Sequence, residues 1–325
     1  MIRSVGGPEV LEIVELPTDC EPSSEEVLVD MRAIGVNRAD VAFRSGKYLI
    51  QPEPPCGLGI EGSGVIRAVG SGVDRFKVGQ RVSILPGFPQ GGAYATYASR
   101  AIFPASSLIE APAELDDTNA AAIWISSLTA WGAMIELGRL GAGDFVLISA
   151  ASSSVGLAAI RIANAVGAVP IVTTRSAAKA EALTMAGAAH VVISGDGFAR
   201  EVQEITGNTG LRIVLDPIAG RFIEALVPCM AEEGIMFVYG GLSDEPTNFD
   251  RKAMIGKGAS LTGYMLGQIL RRPDRLARGE AFVRKCLADG SLSPHIDRIF
   301  PFEDVVEAHR YMESNEQIGK ILLTV

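Results

Sequence analysis

The sequence predicts an α/β protein in which a doubly wound parallel sheet is joined to a separate, mostly-β lobe. Three observations carry that prediction. Residues 1–112 alternate short β-branched runs with Gly and Pro. From Phe145 onward, uniformly apolar runs alternate with amphipathic ones. The length, 325 residues, exceeds what one ordinary core spans, because single cores stop growing near ~250–300 residues.

In chain order, VLVDMRAIGVN, EGSGVIRAVG, QRVSIL and AYATYA read as short antiparallel strands, with almost no helical periodicity between them. From Asp116, DDTNAAAIWISSLTAWGAMIEL opens on acidic residues and spaces its apolar positions as a helix does. Strand and helix then recur: FVLIS and VGLAAIRIANAVG, PIVTT and SAAKAEALTMAG, HVVIS and FAREVQEITG, LRIVLDP and RFIEALVPCMAEE, then IMFVYG and SLTGYM. Uniformly apolar strands between helices indicate a parallel sheet covered on both faces. After Tyr264, QILRRPDRLARGEAFVRKCLADG reads as helix, and HIDRIFPFEDVVEAHRYMES with GKILLTV reads as strand, helix and strand. These closing pieces leave the βα repeat and are expected to complete the first lobe. The expected domains are therefore 1–115 with 268–325, discontinuous, and 116–267.

Composition narrows the function. With 48% hydrophobic and 21% charged residues the chain belongs among globular proteins with large cores. Its net charge of −9, from 38 acidic and 29 basic side chains spread along the chain, disfavours nucleic acid as a partner. Cys20, Cys56, Cys229 and Cys286 stand far apart with no CxxC pair, which suggests neither a zinc knuckle nor a disulfide framework. No charged-then-apolar leader is visible, and the longest apolar runs break well short of ~20 residues, so a cytoplasmic protein without a membrane span is expected.

FVLISAASSSVGLAAIRIANAVGA is a buried strand, a small-residue turn and a helix. Dinucleotides bind at such turns, where helix N-terminal N–H groups and the helix dipole stabilise the pyrophosphate. The three glycines of the GxGxxG fingerprint fall here on Ala151, Ser153 and Gly156, and the candidate turn comprises Ala151, Ser152, Ser153, Ser154, Val155 and Gly156. A second strand ends at Thr174, 18 residues beyond Gly156. A carboxylate there would bind the NAD ribose; instead Thr174, Arg175, Ser176 and Lys179 offer hydroxyls and positive charge, with no carboxylate before Glu181. Charge-assisted hydrogen bonds of roughly 1.5–3 kcal/mol each to a 2′-phosphate favour NADPH over NADH. Tyr239, Gly240 and Gly241 close the fifth strand of the repeat, where a nicotinamide can approach backbone.

Taken together, GVNRADVAFRSGKY, GIEGSGVIRAVGSGVDRFKVGQRV, GGAYATYA, SLTAWGAM and AGDFVLISAASSSVG resemble the medium-chain dehydrogenase/reductase family, and more narrowly the zeta-crystallin-like quinone oxidoreductases. The similarity covers essentially the whole chain. It implies a GroES-like outer domain, a Rossmann domain, a cleft between them and commonly a homodimer. The family's zinc-containing branch carries a Cys after the GV of its first motif and a His in GHE; here those positions are Asn37 and Ile60. Neither replaces a thiolate or imidazole, so no metal site is expected. His190, His295 and His309 lie away from these motifs and are read as structural.

By motif match, Asn37, Asp40 and Tyr48 line the family's cleft, and Thr129 of SLTAW falls where the family reaches the nicotinamide side. The amide of Asn37 or the phenol of Tyr48 is expected to donate to a substrate oxygen, with Asp40 orienting its neighbours. Ala42 stands where an aromatic residue is frequent, which enlarges the expected pocket. Lys320 of GKILL receives no role. The resemblance implies metal-free hydride transfer from NADPH to a small-molecule quinone. Two alternatives stay open: an enoyl or 2-alkenal reductase, and an NADPH-binding structural or sensor protein.

Overall fold

The computed structural model describes residues 1–16 and 20–325. These divide into two compact units, Met1–Ile125 with Pro294–Val325, and Ser126–Ser293.

In unit 1, β1 (Glu26–Val36) is followed by α1 (Arg38–Arg44), β2 (Gly62–Val69), β3 (Arg81–Ile84), β4 (Arg100–Pro104), β5 (Leu108–Glu110) and α2 (Asp117–Ala122). The division falls inside α3 (Trp124–Trp131), which continues as one π-helical stretch, Gly132–Leu137. Unit 2 then alternates β6 (Phe145–Ile148), α4 (Ser154–Ala165), β7 (Val169–Thr174), α5 (Ala180–Met185), β8 (His190–Ile193), α6 (Phe198–Ile205), β9 (Leu211–Asp216), α7 (Phe222–Leu226), β10 (Met230–Val238), α8 (Arg251–Lys257) and β11 (Ser260–Gly263). It ends on α9 (Gly267–Leu270) and α10 (Pro273–Ala288). The chain returns to unit 1 with β12 (Ile296–Pro301), α11 (Val305–Ser314) and β13 (Lys320–Thr324).

The unit 1 sheet runs β12-β13-β1-β2-β3-β5, with β4 also on β1. β1 is the hub because almost all of EVLVDMRAIGV is buried, so both edges and both faces of the strand are used. β13 pairs antiparallel with it, Ala33 opposite Thr324 through Val36 opposite Ile321. Extending that ladder by one position sets Asn37 against Lys320. The core holds Val27, Val29, Phe43, Ile84, Phe103 and Ile321, each at most 1% exposed, and each such side chain contributes roughly 1.5–3 kcal/mol of burial.

AYATYA is not the strand its alternation predicts; Tyr94–Ser99 is an irregular bend. Thr96 N–H donates to Gly59 O at 3.2 Å and Tyr97 N–H to Leu58 O at 2.9 Å, after which the chain folds on itself through Ala98 N–H to Thr96 O at 2.8 Å. The backbone thus finds partners without a ladder, and the bend turns the Tyr97 hydroxyl toward the buried polar groups of this unit.

Unit 2 is an all-parallel sheet in the order β11-β10-β9-β6-β7-β8. Counted from β6, that is the 3-2-1-4-5-6 order of a dinucleotide-binding sheet, in which ligands bind beyond the strands' carboxyl ends. Leu147, Ile171, Val192, Val214 and Met236, one from each of five strands, are wholly buried.

Residues 268–293, expected with the outer lobe, fall in unit 2. α10 is held there by α3 and its π-helical extension. A Cβ on Gly279 would sit 2.8 Å from Leu128 and 2.9 Å from Trp131, the Trp131 and Phe282 rings lie 6.4 Å apart, and Arg278 pairs with Glu136 at 2.6 Å. The reach of apolar runs also differs from expectation. Asp117–Leu137 is long and apolar enough to span a membrane by length and composition, yet 78% of its most apolar window is buried inside the fold.

Candidate active site

In unit 2 the turn between β6 and α4 keeps the third fingerprint glycine for a steric reason. A Cβ on Gly156 would lie 2.4 Å from the carbonyl oxygen of Ala151, so only glycine lets the helix start this close to the turn. Ala150, at φ +46°, makes the tight reversal that glycine usually makes. Ser153, at the second fingerprint position, caps α4: its Oγ accepts from Gly156 N–H at 3.1 Å. Ala151 is buried, while Ser152, Ser153, Ser154 and Val155 are half-buried around the helix N-terminus.

The turn after β7 meets this one through Lys179, whose Nζ donates to Ser152 Oγ at 3.2 Å. Thr174 Oγ1 donates to Ser176 O at 3.1 Å and accepts from Ser176 N–H at 3.2 Å, which folds that turn; Arg175 stands exposed upon it. After β10, Gly240 packs where a Cβ would come within 2.8 Å of Pro217 O, and Gly241 is open. Tyr239 is half-buried, with its phenol held up by desolvation and by Asp216. Thr129 is buried in α3.

Sequence reasoning missed Ser149 and Asp216, at the carboxyl ends of the neighbouring strands β6 and β9. Both are wholly buried and hydrogen-bonded to each other, and Asp216 Oδ2 accepts from Ala219 N–H at 2.7 Å. Burial pushes the Asp216 carboxyl up. This pair pins the point where the strand order reverses. A lone Asp ending LRIVLDP carries no motif that singles it out.

In unit 1, Asn37, Asp40 and Tyr48 occupy the start of α1 and the loop beyond it. Asp40 Oδ2 accepts from Asn37 N–H at 2.9 Å, a carboxylate satisfying an orphan N–H at a helix start. Asp40 is fully buried; its Oδ1 accepts from Gln90 Nε2 at 2.7 Å, and Tyr97 Oη lies 3.4 Å from Oδ2. Burial pushes its carboxyl up to about 7, opposed by the Asn37 N–H, Lys320 and Tyr97.

Asn37 is not the free donor that the sequence suggested. Its Nδ2 donates to Gly35 O and to Glu61 Oε2, both at 3.1 Å, and its Oδ1 accepts from Lys320 Nζ at 2.7 Å. An amide has two hydrogens, and both are in use. Lys320, left without a role, proves to be the centre of this cluster: 2% exposed, ion-paired to Glu61, itself 1% exposed, whose other oxygen accepts from Ile125 N–H at 3.0 Å. Gly35 is required beside it, since a Cβ would meet Glu61 Oε2 at 2.5 Å. The only sequence signal was adjacency, Glu61 following Ile60. Tyr48 remains as a donor. It is half-buried against the core, and burial raises its phenol pKa, with Asp40 adding to the shift, so the hydroxyl keeps its proton.

His190 and His295 are exposed. His309 is wholly buried, with Nε2 3.0 Å from Tyr97 Oη and Nδ1 3.3 Å from Arg44 Nη1. Burial, with Arg44 adding, lowers its pKa to about 3. The reading of His309 as structural did not foresee this link, because Tyr97 and His309 lie far apart in sequence.

The profile of the alcohol dehydrogenase GroES-like domain matches residues 23–113, and that described as zinc-binding dehydrogenase matches residues 154–280. A quinone oxidoreductase of Pseudomonas aeruginosa is 32% identical over 98% of this chain and 96% of its own. A 2-haloacrylate reductase of Burkholderia is 31% identical over 99% and 97%. The crystal structure of Escherichia coli quinone oxidoreductase complexed with NADPH superimposes with a TM-score of 0.91 at 30% identity, covering 100% of this chain and 98% of that one.

Proposed function

The chain belongs to the medium-chain dehydrogenase/reductase family, in its quinone oxidoreductase branch, and on that premise we propose that it reduces quinones with NADPH and without a metal. The observation that carries the metal-free part is the Lys320–Glu61–Asn37 cluster. At the family's two zinc-ligand positions stand Asn37, whose amide is spent on Glu61, Gly35 and Lys320, and Ile60, packed in the core. Oxidation of an alcohol through a metal-bound alkoxide has no support from such a set. An acceptor that is already electron-poor needs only positioning and a hydrogen-bond donor.

The residues of unit 2 suit NADPH. The α4 N-terminus and the Ser152–Ser154 turn would take the pyrophosphate, Arg175, Lys179, Thr174 and Ser176 the 2′-phosphate, and Thr129 with Tyr239–Gly241 the nicotinamide side. NADPH supplies a hydride when bound. Two electrons and two protons reduce the quinone to the hydroquinone, one proton arriving with the hydride's electrons and one from solvent. In unit 1, the Tyr48 hydroxyl is the donor for the acceptor's oxygen, and Asp40 holds the start of α1 in place. The same reading takes the protein as a cytoplasmic homodimer.

Anaerobic mixing with NADPH and a panel of quinones tests the proposal: rapid loss of NADPH is expected, and no turnover on any quinone ends it. The likeness to the 2-haloacrylate reductase favours a second reading, reduction of an activated alkene. Turnover of enones with none of quinones selects it.

A further inference from the structure

Behind Asp40 lies a buried line of polar side chains that the proposed reaction does not use. It runs from Arg44 in α1 through His309 in α11 to Tyr97 in the bend after β3, and the order of its protons follows from one fact. A guanidinium carries donors only and does not deprotonate. At the 3.3 Å contact with Arg44 Nη1, His309 Nδ1 must therefore accept. The neutral ring then bears its hydrogen on Nε2, which donates to the Tyr97 oxygen at 3.0 Å. With that oxygen accepting, the phenol directs its own hydrogen to Asp40 Oδ2, at 3.4 Å. The positive charge at the far end is balanced by Glu313, whose Oε1 lies 2.9 Å from Arg44 Nη2.

We infer that Arg44, His309 and Tyr97 form a one-way line of hydrogen-bond donors that ends on Asp40 and favours its carboxylate over its acid form inside the candidate site. Asp40, Arg44 and His309 are each wholly buried, so water does not substitute for a missing member. The line is not a proton relay, since Arg44 gives up no proton and Nδ1 has none to pass. His309 and Tyr97 are positioning residues: they act on Asp40, and through it on the start of α1 and on Tyr48. Other groups face the same carboxylate. Lys320 favours its charge, Glu61 opposes it, and Asn37 N–H and Gln90 donate to it.

The importance of this line for turnover rests on the reading of Asp40 as part of the reduction site, so the test reads the carboxyl itself. The protonated-carboxyl band of Asp40, assigned by its loss in Asp40→Asn, is followed in pH-difference infrared spectra of the full-length protein without quinone. Tyr97→Phe and His309→Leu are expected to raise the midpoint by about one unit, the worth of a hydrogen bond to a charged group. His309→Gln, which accepts from Arg44 and donates to Tyr97 but does not titrate, is expected to restore it. An unchanged midpoint in Tyr97→Phe overturns the inference. So does a His309→Gln midpoint as high as that of His309→Leu. Tyr97→Phe keeps the ring and decides the matter if His309→Leu does not fold. Absence of quinone turnover in the unaltered protein bears on the proposed function and leaves this result standing.

Discussion

At the scale of single residues, the proposed preference for NADPH over NADH rests on what stands after β7. Arg175 and Lys179 are positive, no carboxylate precedes Glu181, and Lys179 already reaches Ser152 across the two turns. On the proposed placement of the 2′-phosphate, Arg175→Asp would exchange a charge-assisted hydrogen bond for repulsion. The KM for NADPH is expected to rise roughly 10–100-fold while that for NADH holds or falls; equal change for both cofactors in steady-state kinetics would show that Arg175 does not face the 2′-phosphate. These residues were legible because strand, turn and basic pair lie within one short stretch. The motif singled out Asn37 as a candidate but not the bonds its amide makes. The motif marks the position, whereas the competition of Gly35, Glu61 and Lys320 for its amide arises only after β13 pairs with β1.

At the scale of elements, the join between β6 and α4 has almost no slack. Ser153 supplies the helix cap from its own side chain, and Gly156 touches the backbone of Ala151. Gly156→Ala adds a methyl that must displace a carbonyl. A loss of about 1–3 kcal/mol is expected from overpacking, read as a lower urea midpoint, together with weaker binding of both NADPH and NADH. The elements least legible in sequence were those whose pattern is satisfied in more than one way. AYATYA alternates like a strand, yet its backbone bonds to Leu58 and Gly59 in a bend. α10 follows the last strand of the repeat and reads as part of the outer lobe, but Gly279 lets it lie against Trp131.

At the scale of the whole molecule, two buried groups of unit 1 set opposing pH dependences of stability. His309, ordinarily near 6.5 and here lowered to about 3, stays neutral when folded. Its contribution is complete above pH 6.5 and is lost as pH falls toward 3, because the unfolded chain binds the proton first. Asp40, ordinarily near 3.8 and raised to about 7, behaves in the opposite sense: its contribution is complete below pH 3.8 and is lost as pH rises through 7. Between these limits the two slopes oppose each other. His309→Gln removes the first alone, so the stability of the variant relative to the unaltered protein is expected to rise as pH falls from about 6.5 toward 4. Urea midpoints across that range measure it, and a constant difference would mean that His309 does not carry the acid limb. By itself the sequence determined the two-part α/β architecture, the small-residue turn between β6 and α4 and the basic pair after β7, since each is written in periodicity or in residues close along the chain. Only the tertiary structure decided that Lys320 closes the cluster around Asn37, and that His309 stands two hydrogen bonds from Asp40. Both depend on residues more than 200 positions apart, brought together by a chain that leaves unit 1 and returns to it.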